Sequence, residues 1–291
     1  LLFALHPLQV ENVAWVSGMM HLLAGSLSLT SLWLYLLHAR RAQAVASLRS
    51  RRVPYWAALG LFLLALLAKP SAAALPLIAW VLDCLLIGRN WRAATRALAP
   101  WLLPAAAAAA LLPLIDPQTL EVARTPLWLR PLVAGDAVAF YLGKLIVPAR
   151  LGIDYARTPA ALGRLTWFYV AWIVPVTLCW LLWRVRHRHR WLTAAGGVFL
   201  GGLLPMLGLV PVPFQVYSTV ADRYMYQAML GPSLALVGVL HRGRSRLRMP
   251  LVGLVLLVLA LQSSVQTMYW RNSLALLSHA IEVTPRSWVA H

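Results

Sequence analysis

Four short stretches carry the residues that an apolar chain has least reason to keep. The first is His6-Pro7-Leu8-Gln9-Val10-Glu11-Asn12. A carboxylate such as Glu11 can act as a general base, and the upstream His6 can orient a substrate. The same residues also suit a hydrated helix start, where Glu is favourable near the N-terminus. The second is Lys69, beside Pro70 between two apolar runs. A lysine at membrane depth needs an anionic partner or ligand, unless its stem lets the ammonium snorkel to the interface. The third is Asp222-Arg223-Tyr224-Met225-Tyr226. A guanidinium beside aromatic rings suits a phosphate. The plainer reading is an internal Asp222–Arg223 pair within a belt of interfacial tyrosines. The fourth is Lys144 with Pro148, Asp154 and Tyr155, for which interfacial anchoring is the simpler account.

Metal chemistry finds no support in the spacing. Cys84 and Cys179 lie far apart in apolar runs and read as small buried hydrophobes. His187 and His189 alternate with arginines and read as solvated side chains. No metal ligand set is expected, and divalent-metal dependence stays open.

The elements that must position these groups are membrane helices. Of 291 residues, 61% are hydrophobic and only 12% charged, against about a quarter charged in soluble domains. Runs such as 251–261 and 105–112 have no polar face for water. A spanning helix needs roughly 20 mostly apolar residues. Hydropathy places about eight spans near 14–37, 55–68, 72–87, 97–114, 166–183, 191–210, 226–240 and 250–269. The fold class expected is therefore all-α, a polytopic transmembrane bundle over 1–269.

The formal charge of +18 points to topology more than to nucleic acid. Arg40, Arg41, Arg49, Arg51 and Arg52 fill one loop, and Arg89, Arg92 and Arg96 the next but one. Arg184, Arg186, Arg188 and Arg190 follow in a third, and Arg242, Arg244, Arg246 and Arg248 in a fourth. Arginines in alternate loops satisfy the positive-inside rule, which makes these loops cytoplasmic. Glu11, Asp116, Glu121, Asp136, Asp154, Asp222 and Glu282 then fall outside. Asp83 is the exception, read as a helix-end group near the cytoplasmic interface. The outer segment 115–165 is expected to hold an interfacial helix over 132–148. The tail 270–291 is amphipathic, with Leu274, Leu277, Ala280 and Ile281 at helical spacing before Pro285.

Several runs together resemble a family. LFALHPLQVENVAWVSG, LLAKPSAAALPL, YLGKLIVPARLGIDY and GLVPVPFQVYSTVADRYMY occur in the order found in transmembrane and tetratricopeptide-repeat O-mannosyltransferases and their bacterial relatives. The tail from Trp270 is similar to the opening of a tetratricopeptide array, with Ala280 and Pro285 on its pattern and Ser287 starting the next repeat.

The resemblance implies a GT-C glycosyltransferase of a bacterial inner membrane. Its donor is a polyprenyl-phosphate sugar, and its reaction moves a hexose, often mannose, to a Ser or Thr hydroxyl on the extracytoplasmic face. Carried over by motif, Glu11, His6 and Asp222 are the catalytic candidates. Arg223, Lys69, Lys144 and Tyr224 are candidates for the lipid phosphate. The partners implied are membrane lipids, an acceptor protein or peptide, and a protein bound by the repeats.

Two departures stand out. The family's acidic first-loop motif would lie before Leu1, and the chain reads as a fragment cut at both ends. Gly18-Met19-Met20-His21 stands where relatives carry a charged Arg-Lys-Asp-like patch. Two other readings stay open. One is a non-catalytic membrane-anchored repeat scaffold, and the other a lipid or small-solute transporter working through Lys69.

Overall fold

The computed structural model describes residues 1–44, 48–115, 125–210, 213–242, 247–285, 287 and 289–290, with backbone alone at 48–51, 112–115 and 213. Regular structure among them is helical. The longer helices are α1 (Met19–Gln43), α2 (Leu48–Ala68), α3 (Leu75–Leu82), α4 (Trp91–Ile115) and α5 (Arg130–Ile146). They continue as α6 (Ile173–Val185), α7 (Arg190–Leu203), α8 (Leu230–Arg242), α9 (Arg248–Tyr269) and α10 (Ser273–Val283).

Five segments among the described residues are long and apolar enough to cross a membrane. They are Val16–Gln43, Pro70–Ile87, Trp91–Leu111, Thr166–Val185 and Arg248–Tyr269. Of the other expected spans, 55–68 falls in the apolar stretch Arg52–Ala68 of α2, and 191–210 and 226–240 fall on shorter or interrupted helices, so eight spans are not shown among the described residues. The reasons are local. Helix α7 stops at Leu203, and Leu204–Met206 forms a 3-10 turn around Pro205. At ~1.5 Å per residue, α7 is roughly 21 Å long, short of a ~30 Å hydrocarbon core. Helix α8 starts late because residues 222–228 are spent on short turns that build the site.

Two cores hold the bundle. In the first, Phe62 of α2 stacks on Trp101 of α4 at 4.9 Å between ring centroids, and Tyr35 of α1 meets Trp101 edge-on at 5.6 Å. Trp101, Tyr35 and Phe62 are fully buried. The second core gathers Leu8, Tyr141 of α5, Phe199 and Leu203 of α7, and Met225 and Met229. Helix α5 covers 132–148 to within two residues of expectation. It presents Ala134, Ala137, Val138 and Tyr141 to this core, Val133 packs in a smaller cluster with Leu162 and Phe168, and Gly135 lets the backbone of Trp172 approach closely. By contrast α9 is almost wholly exposed along its apolar length, as suits contact with lipid.

Some arginine-bearing helix ends pack in pairs: Gln43 at the end of α1 donates to the Ile87 carbonyl, two residues before Arg89, and Arg242 of α8 lies over Trp191, next to Arg190. Asp83 is fully buried, paired with Arg89 at 2.9 Å and accepting from the Tyr35 hydroxyl at 2.7 Å. It is thus a structural anchor inside the bundle, deeper than the interfacial group expected. Asp116 and Glu121 fall outside the described residues. The two cysteines depart from expectation: Cys84 is half-buried and Cys179 is exposed on α6.

Candidate functional site

Lys69 and the Asp222–Arg223 pair are placed by local breaks in helix. Pro70 disfavours helical backbone at the residue before it, and Lys69 is extended (φ −159°) at the end of α2. This swings its side chain away from the run of α2 and toward His21 and Arg223. Ala221 is likewise extended, pinned by Tyr141, whose hydroxyl donates to the Ala221 carbonyl and accepts from the Ala221 amide, both at 3.0 Å. The next three residues form a 3-10 turn that sends Asp222 and Arg223 to different partners.

Arg223 joins Glu11, not its neighbour Asp222. Its Nη1 donates to Glu11 Oε1 at 2.6 Å, and its backbone N–H donates to Oε2 at 2.8 Å. Both residues are buried. The guanidinium lies against Phe214 (3.9 Å to the ring centroid), Tyr224 (5.3 Å) and Trp15 (5.5 Å). An aromatic surround of this kind holds a cation in a dry site. Asp222 instead accepts from the Tyr155 hydroxyl at 2.7 Å. Burial, with the Glu11 charge behind it, raises the Asp222 carboxyl to about 8. Asp222 is therefore mostly protonated at neutral pH.

A small cleft, with internal space of about 20 Å³, opens beside this pair. Its wall includes His21, Lys69, Ser71, Arg223, Tyr224 and Gln227, with Tyr226 at one side. Lys69 Nζ stands against the His21 ring and 5.9 Å from the Tyr224 centroid. Burial, then the nearby Arg223, lowers the Lys69 ammonium to about 7. A narrow apolar groove, with internal space of about 10 Å³, adjoins the cleft and shares Tyr226 and Gln227 with it. Phe3, Leu29, Leu32, Leu75, Ile78 and Leu230 line the groove. Gly25 makes the junction possible, because a Cβ there would overlap the Tyr226 ring.

Comparison with protein-family models, curated proteins and solved structures gave no match.

The expected residues divide cleanly. Lys69, Arg223 and Tyr224 converge on the cleft. Glu11 stands behind it as the partner of Arg223. His6 does not line it. The His6 ring accepts the Leu8 amide at 3.3 Å and its Nε2 donates to the Leu145 carbonyl at 3.2 Å. It ties the first turn to the end of α5, and burial pushes its imidazole below the usual range. Lys144 is engaged elsewhere, donating to the carbonyls of Ala149 and Arg150 at 2.6 and 2.9 Å. Among the described residues no cluster of three or more metal-ligating side chains occurs.

The cleft also uses residues to which the sequence reading gave no role. Ser71 and Tyr226 lie inside the motifs named above, and Gln227 follows one. His21 stands inside a span, where any ionisable residue is a functional-site signal. Gln9 and Asn12 are buried on either side of Glu11, and their carboxamides make no hydrogen bond among the described residues. Buried polar groups of this kind call for a water or a ligand group.

Proposed function

We propose that the protein is a GT-C glycosyltransferase akin to the transmembrane and tetratricopeptide-repeat O-mannosyltransferases. It moves a hexose, mannose in the first instance, from a polyprenyl-phosphate donor to a Ser or Thr hydroxyl. The membrane is a bacterial inner membrane and the face extracytoplasmic. One observation carries this reading: a basic cleft runs into an apolar groove through shared residues Tyr226 and Gln227. A phosphate joined to a long hydrocarbon needs both, side by side.

In this reading the donor phosphate binds Lys69 and draws Arg223 Nη1 away from Glu11. Glu11 Oε1, released, accepts the proton of the acceptor hydroxyl as its oxygen bonds to the anomeric carbon. The anomeric C–O bond to phosphate breaks, and the lipid phosphate leaves with its charge held by Lys69 and Arg223. His21 and Ser71 add hydrogen-bonding groups to the same wall.

A second reading has its own observation. Both Glu11 oxygens are engaged by Arg223. A bundle that keeps this pair intact would hold a lipid phosphate without transferring its sugar, as a membrane-anchored scaffold would.

Reconstituted protein, given polyprenyl-phosphate mannose and a Ser/Thr-rich acceptor peptide, decides between them. Transfer that disappears with Arg223→Ala and with Glu11→Gln is the expected result. Donor binding without transfer favours the scaffold and overturns the enzyme.

A further inference from the structure

The turn beneath Asp222 and Arg223 is tied to the far C-terminal part of the chain. Residues 150–156 form a strap bracketed by two non-glycine residues in the left-handed region, Arg150 (φ 52°) and Ala156 (φ 48°). Such backbone persists only where its surroundings fix it. On one side the strap meets the cleft. The Ile153 carbonyl accepts from Arg223 Nη1 at 3.5 Å, and Tyr155 donates to Asp222 at 2.7 Å.

On the other side it meets α9, α10, Thr284 and Ser287. The Leu151 carbonyl accepts from Gln266 at 3.3 Å and from His279 Nε2 at 3.0 Å. The His279 ring stacks on Tyr269. The Asp154 carbonyl accepts from Thr284 Oγ1 at 3.2 Å. The buried Asp154 carboxylate is the knot: one oxygen accepts the amide of left-handed Ala156 at 2.7 Å, and the other accepts the Ser287 hydroxyl.

We propose that α10, with Thr284 and Ser287 beyond it, is a latch that shapes the anion cleft, with Asp154 as the positioning residue. The docked latch fixes the strap, and the strap bears on Asp222 through Tyr155 and on Arg223 through Ile153, beside the Glu11 contact. With the latch released, one oxygen of a buried carboxylate loses its partner and the left-handed turn loses its support, so the strap and the cleft loosen together. A protein that binds the C-terminal segment thereby reaches the cleft. Its effect on ligand affinity rests on the lipid-phosphate reading above; its effect on strap order does not.

The test removes the latch and then restores it. Thr284→Val with Ser287→Ala removes two tail hydrogen bonds to Asp154. A Cβ built at Gly152 lies 3.7 Å from the Val283 Cβ, a spacing that suits a disulfide. Gly152→Cys with Val283→Cys, in a background where Cys84 and Cys179 are alanine, can therefore relock the tail. Hydrogen exchange is read at 152–157 and at the Arg223 amide, with α1 as the control. Binding of citronellyl phosphate is read in parallel.

The latch variant is expected to exchange at least tenfold faster at 152–157 and at Arg223, with α1 unchanged, and to bind the probe at least tenfold more weakly. Oxidising the added cysteine pair restores protection, and reduction removes it again. Faster exchange confined to 273–290, with Arg223 still protected, overturns the latch. If the double variant does not fold, Ser287→Ala alone is read against the same two outcomes. Failure of the unaltered protein to bind the probe counts against the lipid-phosphate reading, while exchange at Arg223 still decides the latch.

Discussion

Glu11 and Arg223 lie 212 residues apart and form a two-point buried contact, side chain to side chain at 2.6 Å and backbone amide to carboxylate at 2.8 Å. The pair joins the first turn of the chain to the turn before α8, and its guanidinium forms part of the cleft wall. Removing one member of such a pair leaves the other buried and uncompensated. Glu11→Ala should cost about 3–5 kcal/mol of stability. Glu11→Ala combined with Arg223→Met should cost less than the sum of the two single changes. A double-mutant cycle on denaturant unfolding checks this, and strict additivity would mean that the pair has no net coupling.

Asp222 sets a pH dependence. Its folded carboxyl titrates at about 8, above the ordinary ~3.9 of an unfolded Asp. The folded state therefore binds the extra proton, and stability falls as pH rises through this window. Lys69, lowered to about 7, gives the opposite slope above pH 7, and His6, lowered by burial, gives the opposite slope below its ordinary ~6.5. The Asp222 contribution is therefore read as a difference: from pH 4 to 7 the thermal transition of the unaltered protein should fall relative to that of Asp222→Asn, which imitates the protonated acid toward Tyr155. A difference that stays constant with pH would contradict this assignment.

Lys69 makes ligand binding pH-dependent as well. An anion favours the charged ammonium, so binding above pH 7 takes up a proton. Affinity for a prenyl phosphate should fall as pH rises from 7 to 9, approaching tenfold per unit at the steepest. Lys69→Met should weaken binding at pH 6 and abolish most of this dependence. Calorimetry in two buffers of different ionisation enthalpy reads the proton uptake directly.

The groove predicts chain-length selectivity. Leu29 lines it without lining the basic cleft. Leu29→Trp should fill the groove and weaken a fifteen-carbon prenyl phosphate about tenfold or more, yet leave inorganic phosphate unaffected. Equal weakening of both ligands would show that the cleft itself had been disturbed.

Away from the cleft, Asp83 holds Arg89 and Tyr35. Asp83→Ala strands a largely buried guanidinium and should cost about 3 kcal/mol. Prenyl-phosphate affinity at a temperature where the variant stays folded should not change. A matching loss of affinity would couple the two regions.

Membrane character and helical class were legible in composition and hydropathy. So was the break at Lys69, because a proline dictates the backbone of the residue before it. The pairing of Glu11 with Arg223 was not. Asp222 is Arg223's sequence neighbour, and no local rule says that a 3-10 turn at 222–224 will part them. Lys144 and His6 looked like site groups by type, but backbone carbonyls of 145, 149 and 150 claim them, and carbonyl positions leave no mark in side-chain patterning. The interruption of α7 after Leu203 was masked by continuous hydropathy through 191–210. His21 stood out only as a departure from the family's charged patch, although a single imidazole in an apolar run is itself a signal.

The central claim is that Lys69 and Arg223 bind the phosphate of a lipid whose chain lies in the adjoining groove. Equilibrium binding of farnesyl phosphate to the reconstituted protein, set against farnesol and inorganic phosphate, tests it most directly. Farnesyl phosphate should bind at least tenfold more tightly than either, and Lys69→Met should erase the advantage over farnesol. Equal affinity for farnesol and farnesyl phosphate, unaltered by Lys69→Met, would contradict the account.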